Sequence, residues 1–181
     1  HQYDGYQKVQ YTNNSPDTLQ KAYFHLYFNA FQPGSMMDVR SRTIKDPDRR
    51  VTDRIYGLGP DEIGFQEVRE LTQNGMPLGW EVNGTVLKCA LAEPLLPGES
   101  TTFEMRWNAQ VPKQIRRSGW NNKEGVEFTM TQWYPKLAEY DKDGWHPDQY
   151  VGREFYGVWG TFDVTVHIDK NYALGGTGYL Q

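Results

Sequence analysis

Four histidines, one cysteine and an acid-rich loop are the groups in this 181-residue chain that could do chemistry. No two of His1, His25, His146 and His167 stand at the spacing of a metal-binding helix, where two imidazoles four residues apart share a face with a Glu. His25 and His167 fall in strand-like runs and His1 is terminal, so these three read as structural. Asp141-Lys142-Asp143-Gly144 imitates the start of a calcium loop, but Gly152 occupies the place of the closing bidentate Glu. It reads as a polar turn. Glu139, Asp141, Asp143 and Asp148 could pose as glycosidase carboxylates, which need a fixed separation across a cleft and unequal pKa values. Acids among Lys and Gly on a loop are more often solvated. There is no Gly-x-Ser-x-Gly elbow, and the GGTGY tail has no helix after it to cradle a phosphate. The expectation is a chain with no catalytic residue, no metal ligand and no cofactor of its own.

Composition narrows the class further. At 38% apolar and 14% aromatic, the chain is long enough for a hydrophobic core and has a strand-forming flavour. The net charge of −4 argues against sequence-blind nucleic-acid binding. The basic run Lys113 to Arg117 reads as a solvated turn. A single cysteine excludes an internal disulfide, and Cys89 alternates with Leu87 and Leu91 as a buried, inert thiol would. No apolar run has membrane-spanning length. The chain opens on His1 rather than Met, which points to an upstream piece removed by signal cleavage or domain excision.

The elements that must position these groups are strands. Residues 1–12 alternate, and Asn13 to Asp17 is turn chemistry. The run from Lys21 to Phe31 predicts a strand with Phe24, Leu26 and Phe28 on one face and Tyr23, His25 and Tyr27 on the other. Gln32 to Arg54 predicts a long loop with a short helix near Met36. Strands follow at Gly64 to Leu71, Trp80 to Val82 and Thr85 to Leu91, joined by turns at Asn74-Gly75 and Asn83-Gly84. A turn at Glu93 to Gly98 launches a long strand that puts Phe103, Met105 and Trp107 on one face, and Gly125 to Gln132 is a further strand. The last predicted strand is Gly160 to Ile168, with Phe162, Val164, Val166 and Ile168 sharing a face. Many strands, frequent turns and little helix mean an antiparallel β-sandwich or barrel-like sheet.

Between the last two strands lies the most unusual segment, Thr129 to Tyr150, rich in Trp, Tyr, Pro and acids. Aromatic rings on such a loop cover a neighbouring surface or line a cleft. Tyr140, Trp145 and His146 are its candidate ligand or interface residues.

The order EFTMTQWYPKLAEYD, GWHPDQY, GTFDVTVHID and YALGGTG, together with YFHLYFNAF, resembles the N-terminal domain of zinc metallopeptidases of the aminopeptidase N family, gluzincins of the secreted Bacteroidetes type. The resemblance covers nearly the whole chain, and QWYPKL to DGWHP is its most specific part. It implies one saddle-shaped, mostly antiparallel β domain over 1–181 that lacks its first strand and ends just inside its last strands. It implies a downstream catalytic domain that holds the zinc through HExxH and a further Glu, none of them in this sequence. It also implies a secreted or periplasmic parent and a fragment that does not hydrolyse peptides alone. In the family this domain lends a Gln or Glu to the peptide's amino terminus, and Gln132 matches by its place at a strand end. Trp133 and Tyr134 would then be walls of that cleft, or packing against the missing domain. The competing expectation is a carbohydrate- or protein-binding β-sandwich that stacks ligands on Trp133, Tyr140 and Trp145 in the loop 133–150.

Overall fold

The structure is a computed structural model that describes residues 1–45, 48–152 and 155–179. In chain order it holds β1 (Gln2–Thr12), β2 (Leu19–His25), a 3-10 turn (Tyr27–Ala30) and α1 (Met36–Thr43). It continues with β3 (Phe65–Gln73), β4 (Met76–Pro77), β5 (Trp80–Asn83), β6 (Val86–Leu95) and β7 (Ser100–Gln110). Five two-residue strands follow: β8 (Gly119–Trp120), β9 (Phe128–Thr129), β10 (Lys136–Leu137), β11 (Tyr140–Asp141) and β12 (Gly144–Trp145). The protein is mainly β, built on two antiparallel four-stranded sheets in the orders β1-β7-β3-β4 and β10-β2-β6-β5.

Alternation decides which side chains meet between the sheets. Phe103, Met105, Trp107 and Ala109 of β7 all point inward and are buried. Phe24 of β2 meets Phe103 edge-on at 5.6 Å, a geometry that suits two aromatic quadrupoles. β1 lies beside β7 over its whole length, with Gly5 opposite Trp107. A Cβ at Gly5 would overlap the Trp107 indole, so the strand needs glycine there. In β3 the register slips between Val68 and Glu70, and this bulge resets the face. Val68 and Leu71, three residues apart, therefore both reach the core. Cys89 is buried with its thiol against the Ala22 carbonyl, and burial pushes it up to about 11, which leaves it inert.

A second apolar cluster sits outside the sandwich proper. Tyr27, Phe28, Phe31, Met37, Val51, Ile55, Ile115 and Tyr150 bury one another under the long loops. Helix α1 is fixed at its start by Ser35, whose hydroxyl accepts from the Asp38 amide at 3.1 Å. Asp38 in turn accepts from Gly34 and pairs with Arg42 at 2.9 Å, so it is buried with its charge matched.

Several predicted elements differ in the structure. The strand at Tyr23 stops at His25, and the chain then coils so that Leu26, Tyr27 and Phe28 are all buried. Continuous bulk on both sides of a run is as compatible with a buried turn as with a central strand. The hairpin after β5 turns on Gly84 and Thr85, because Asn83 pairs with Val86 and only Gly84 takes positive φ, at 57°. At Asn74-Gly75 both residues do, at 50° and 82°, as a type I′ turn requires. β6 runs to Leu95, through the predicted turn. Of the Gly125 to Gln132 strand only Phe128–Thr129 pairs. The predicted strand Gly160 to Ile168 has no ladder partner among the described residues, and both of its faces are exposed. The predicted loop around Met36 includes residues 46–47, and the GGTGYLQ tail includes residues 180–181, which lie outside the described residues.

Candidate functional site

Gln132 is the predicted site residue that the fold brings to a cavity. It sits just beyond β9 with φ of 52°, a left-handed conformation uncommon for a side-chain-bearing residue. Two anchors hold it. The amide of buried Gln66 donates to the Gln132 carbonyl at 3.4 Å. The Ser118 hydroxyl donates to the carbonyl of Thr131 at 2.8 Å. The carboxamide of Gln132 itself has no hydrogen-bond partner among the described residues. Gln132 lines a cavity of about 360 Å³ together with Arg50, Arg116, Arg117, Tyr27 and Phe155.

The charges of this cavity are lopsided. Asp48 lies behind it and is committed to two of the arginines, at 2.7 Å from Arg50 and 3.2 Å from Arg116. Hydrogen bonds from Arg50 first, then the charge of Arg116, hold its carboxyl well below the usual carboxylate range against the opposing effect of burial. Arg116 is buried, donates to the Tyr150 hydroxyl at 3.0 Å and to the Gly152 carbonyl, and lies over the Tyr150 ring. Arg117 is exposed and has no acidic or hydrogen-bonding partner among the described residues. Among the described residues, three guanidiniums against one carboxylate leave two positive charges in excess.

The basic run 113–117 is thus not the solvated turn that its composition suggests. Ile115 is in the second core, Lys113 pairs with Glu62 at 2.7 Å, and Arg116 enters the cavity wall with φ of 55°. The signal available in the sequence was the apolar Ile115 inside a run of cations. Nothing local announced that residues 27–31, 50 and 150 would meet it.

Trp133 and Tyr134 do not line the cavity. Both are half-buried and pack on the sandwich core, edge-on to one another at 5.3 Å. The Tyr3 hydroxyl donates to the Trp133 carbonyl, and burial pushes that phenol far up. Gln7 donates to the Pro135 carbonyl at 2.9 Å, so β1 holds this segment from two points.

The loop residues Tyr140, Trp145 and His146 form a separate group on the small hairpin β11-β12. Trp145 is packed among the rings of Tyr11, Tyr23 and Tyr140, and is half-buried. Tyr140 donates to Asp17 at 2.8 Å, which ties the hairpin to the β1-β2 turn. His146 lies 2.8 Å from Asp141 and 4.0 Å from Asp148. Asp141 also accepts from the Asp143 amide and the Tyr156 hydroxyl. Its carboxyl is lowered to about 2, chiefly by His146, whose own value is raised by Asp141. Asp141-Lys142-Asp143-Gly144 is a polar turn in which the Asp143 amide donates to Asp141, and no group of three metal-ligating side chains occurs among the described residues. No described helix is long and apolar enough to cross a membrane.

No family model matches the chain, and no curated protein matches it. Among solved structures it is similar to M1 zinc metallopeptidases. One, from Deinococcus radiodurans and bound to a Tyr-Ser-Ala substrate, has 16% identity over 71% of this chain and 22% of its own, with a TM-score of 0.38. Another structure of the Deinococcus radiodurans M1 zinc metallopeptidase has 16% identity over 70% of this chain and 22% of its own, with a TM-score of 0.36. A two-domain M1 zinc metallopeptidase bound to L-tryptophan gives the same identity, coverage and TM-score. The chain therefore spans about a fifth of the length of the structures it resembles.

Proposed function

We propose that this chain is a non-catalytic recognition domain of a secreted or periplasmic zinc aminopeptidase. It packs on the catalytic domain and presents Gln132 to the amino-terminal part of the peptide. The zinc and its ligands belong to the catalytic domain, and this chain supplies shape and polar contacts. The single observation that carries the reading is the conformation of Gln132. Its backbone is strained, its carbonyl and its neighbour are pinned by Gln66 and Ser118, its carboxamide has no hydrogen-bond partner among the described residues, and it lines a cavity. Strain held in place by surrounding structure, with an idle polar group at its tip, is the arrangement of a ligand contact. A carboxamide oxygen can accept from the peptide's ammonium, and its amine can donate to the peptide backbone.

The alternative, a carbohydrate-stacking surface on the aromatic loop, is not favoured by any specific contact. Trp145 and Trp133 are turned into the sandwich and do not form an open strip.

The test uses the full reading frame that carries this chain. It is expected to encode an HExxH zinc site and to release amino-terminal residues from aminoacyl anilides in a zinc-dependent way. Gln132→Ala should raise KM several-fold at unchanged zinc content, the loss expected for one polar contact of about 1 kcal/mol. A reading frame without a metal site, or a KM that Gln132→Ala does not move, overturns the reading.

A further inference from the structure

The Gln132 cavity is charged in a way that amine recognition alone does not explain. Beside Gln132 the cavity carries Arg50, Arg116 and Arg117, and Asp48, their one acidic partner among the described residues, is already engaged by two of them. That excess suits a carboxylate. Arg117 offers a guanidinium free of acidic partners, and its planar fork matches a carboxylate with two parallel hydrogen bonds. Arg50 stands beside it, exposed on one side and held by Asp48 on the other, so its position is fixed while part of its donor set faces outward. The Gln132 amide can donate to the same anion. Tyr27 and Phe155 form an apolar wall next to this polar rim, 5.4 Å apart between ring centroids, which suits the side chain of a flanking residue.

We infer that this cavity is a carboxylate site, which takes an acidic side chain of the bound peptide on Arg117 and Arg50 with Gln132 beside them. The inference rests on the peptide-recognition reading and names its substrate class: peptides with an acidic residue next to an apolar one. Arg116 is the positioning residue. It is buried, fixes Asp48 and Tyr150, and so sets where Arg50 lies.

The test is isothermal titration of this chain with N-acetyl-Phe-Asp-amide and with N-acetyl-Phe-Asn-amide, both blocked at the amine. The acidic peptide should bind about tenfold or more tightly, the scale of one charge-assisted bidentate contact. Its advantage should shrink as salt is raised. Arg117→Gln, an exposed position whose change leaves the fold intact, should abolish the difference between the two peptides. Inorganic phosphate should compete no better than acetate. Equal affinity for the two peptides, a preference that survives Arg117→Gln, or tighter binding of phosphate alone would each overturn the carboxylate assignment and leave peptide recognition standing. If neither peptide binds at millimolar concentration, the peptide-recognition reading falls with it.

Discussion

β7 and the segment 160–168 carry the same sequence pattern and have opposite fates. In β7 the alternating Phe103, Met105, Trp107 and Ala109 are all buried, with β1 on one side and β3 on the other. In 160–168 the alternating Phe162, Val164, Val166 and Ile168 are 47–60% exposed, and no strand lies beside them among the described residues. The segment touches the body at Tyr134 through Phe162, and its flanks do so at the Ala138–Gly157 bridge and at Phe128 through Tyr172. These are point contacts. A period of two makes a chain ready to be a strand, and only a neighbour with matching backbone groups makes it one.

The largest consequence is in backbone protection. Amides of β7 should exchange only on global unfolding, and those of 160–168 should exchange at nearly the free-chain rate, orders of magnitude apart by hydrogen-exchange mass spectrometry. Protection in 160–168 would mean that the segment has found a strand partner, and the comparison would fail. Next comes side-chain truncation. Phe103→Ala should cost about 3–5 kcal/mol in urea denaturation, because it opens a cavity under Phe24.

A third test uses pH. His25 is buried and stacked on Tyr27 at 5.0 Å, with neither ring nitrogen well placed for a hydrogen bond. Burial lowers it to about 4, only partly offset by the Asp148 charge and the nearby His146 carbonyl. Its folded value lies below its unfolded one, so its contribution is complete above about pH 6.5 and declines as pH falls toward 4. The decline amounts to about 3 kcal/mol by linkage, and His25→Phe should flatten it. His146 has the opposite sign. Its raised value means that the Asp141 pair stabilises below about pH 6.5 and is lost as pH rises through the folded value, an effect that His146→Gln should remove.

Gly5→Ala should cost about 1–3 kcal/mol, because the new methyl meets the Trp107 indole. The smallest expected effect is Phe162→Ala, within about 0.5 kcal/mol, as for an exposed position. A cost approaching that of Phe103→Ala would show that 160–168 has a burial site of its own.

The same comparison explains what was legible beforehand. β1, β3, β6 and β7 announced themselves by alternation, and Asn74-Gly75 marked a turn by local chemistry. The 3-10 turn at Tyr27 did not, because residues that are buried on every side have no period to read. Gln132 was legible as a strand end before an aromatic loop, whereas its arginine neighbours were not. Arg50 and Arg116 are 66 residues apart in sequence and meet through one carboxylate. Trp133 and Trp145 were open to ligand contact or to packing, and both pack on the sandwich core, since composition records that a ring is present and not which way it faces.

By itself the amino-acid sequence determined that this chain is a strand protein with hairpin turns, one inert thiol and no metal-ligand spacing. Those properties live in neighbours two to four residues apart, where backbone geometry and side-chain periodicity are local. Tertiary structure alone decided which alternating runs became strands, where the aromatic loop turned its rings, and that Arg50, Arg116, Arg117 and Gln132 would line one cavity. Those outcomes depend on register and loop path, which bring together groups that no local pattern connects.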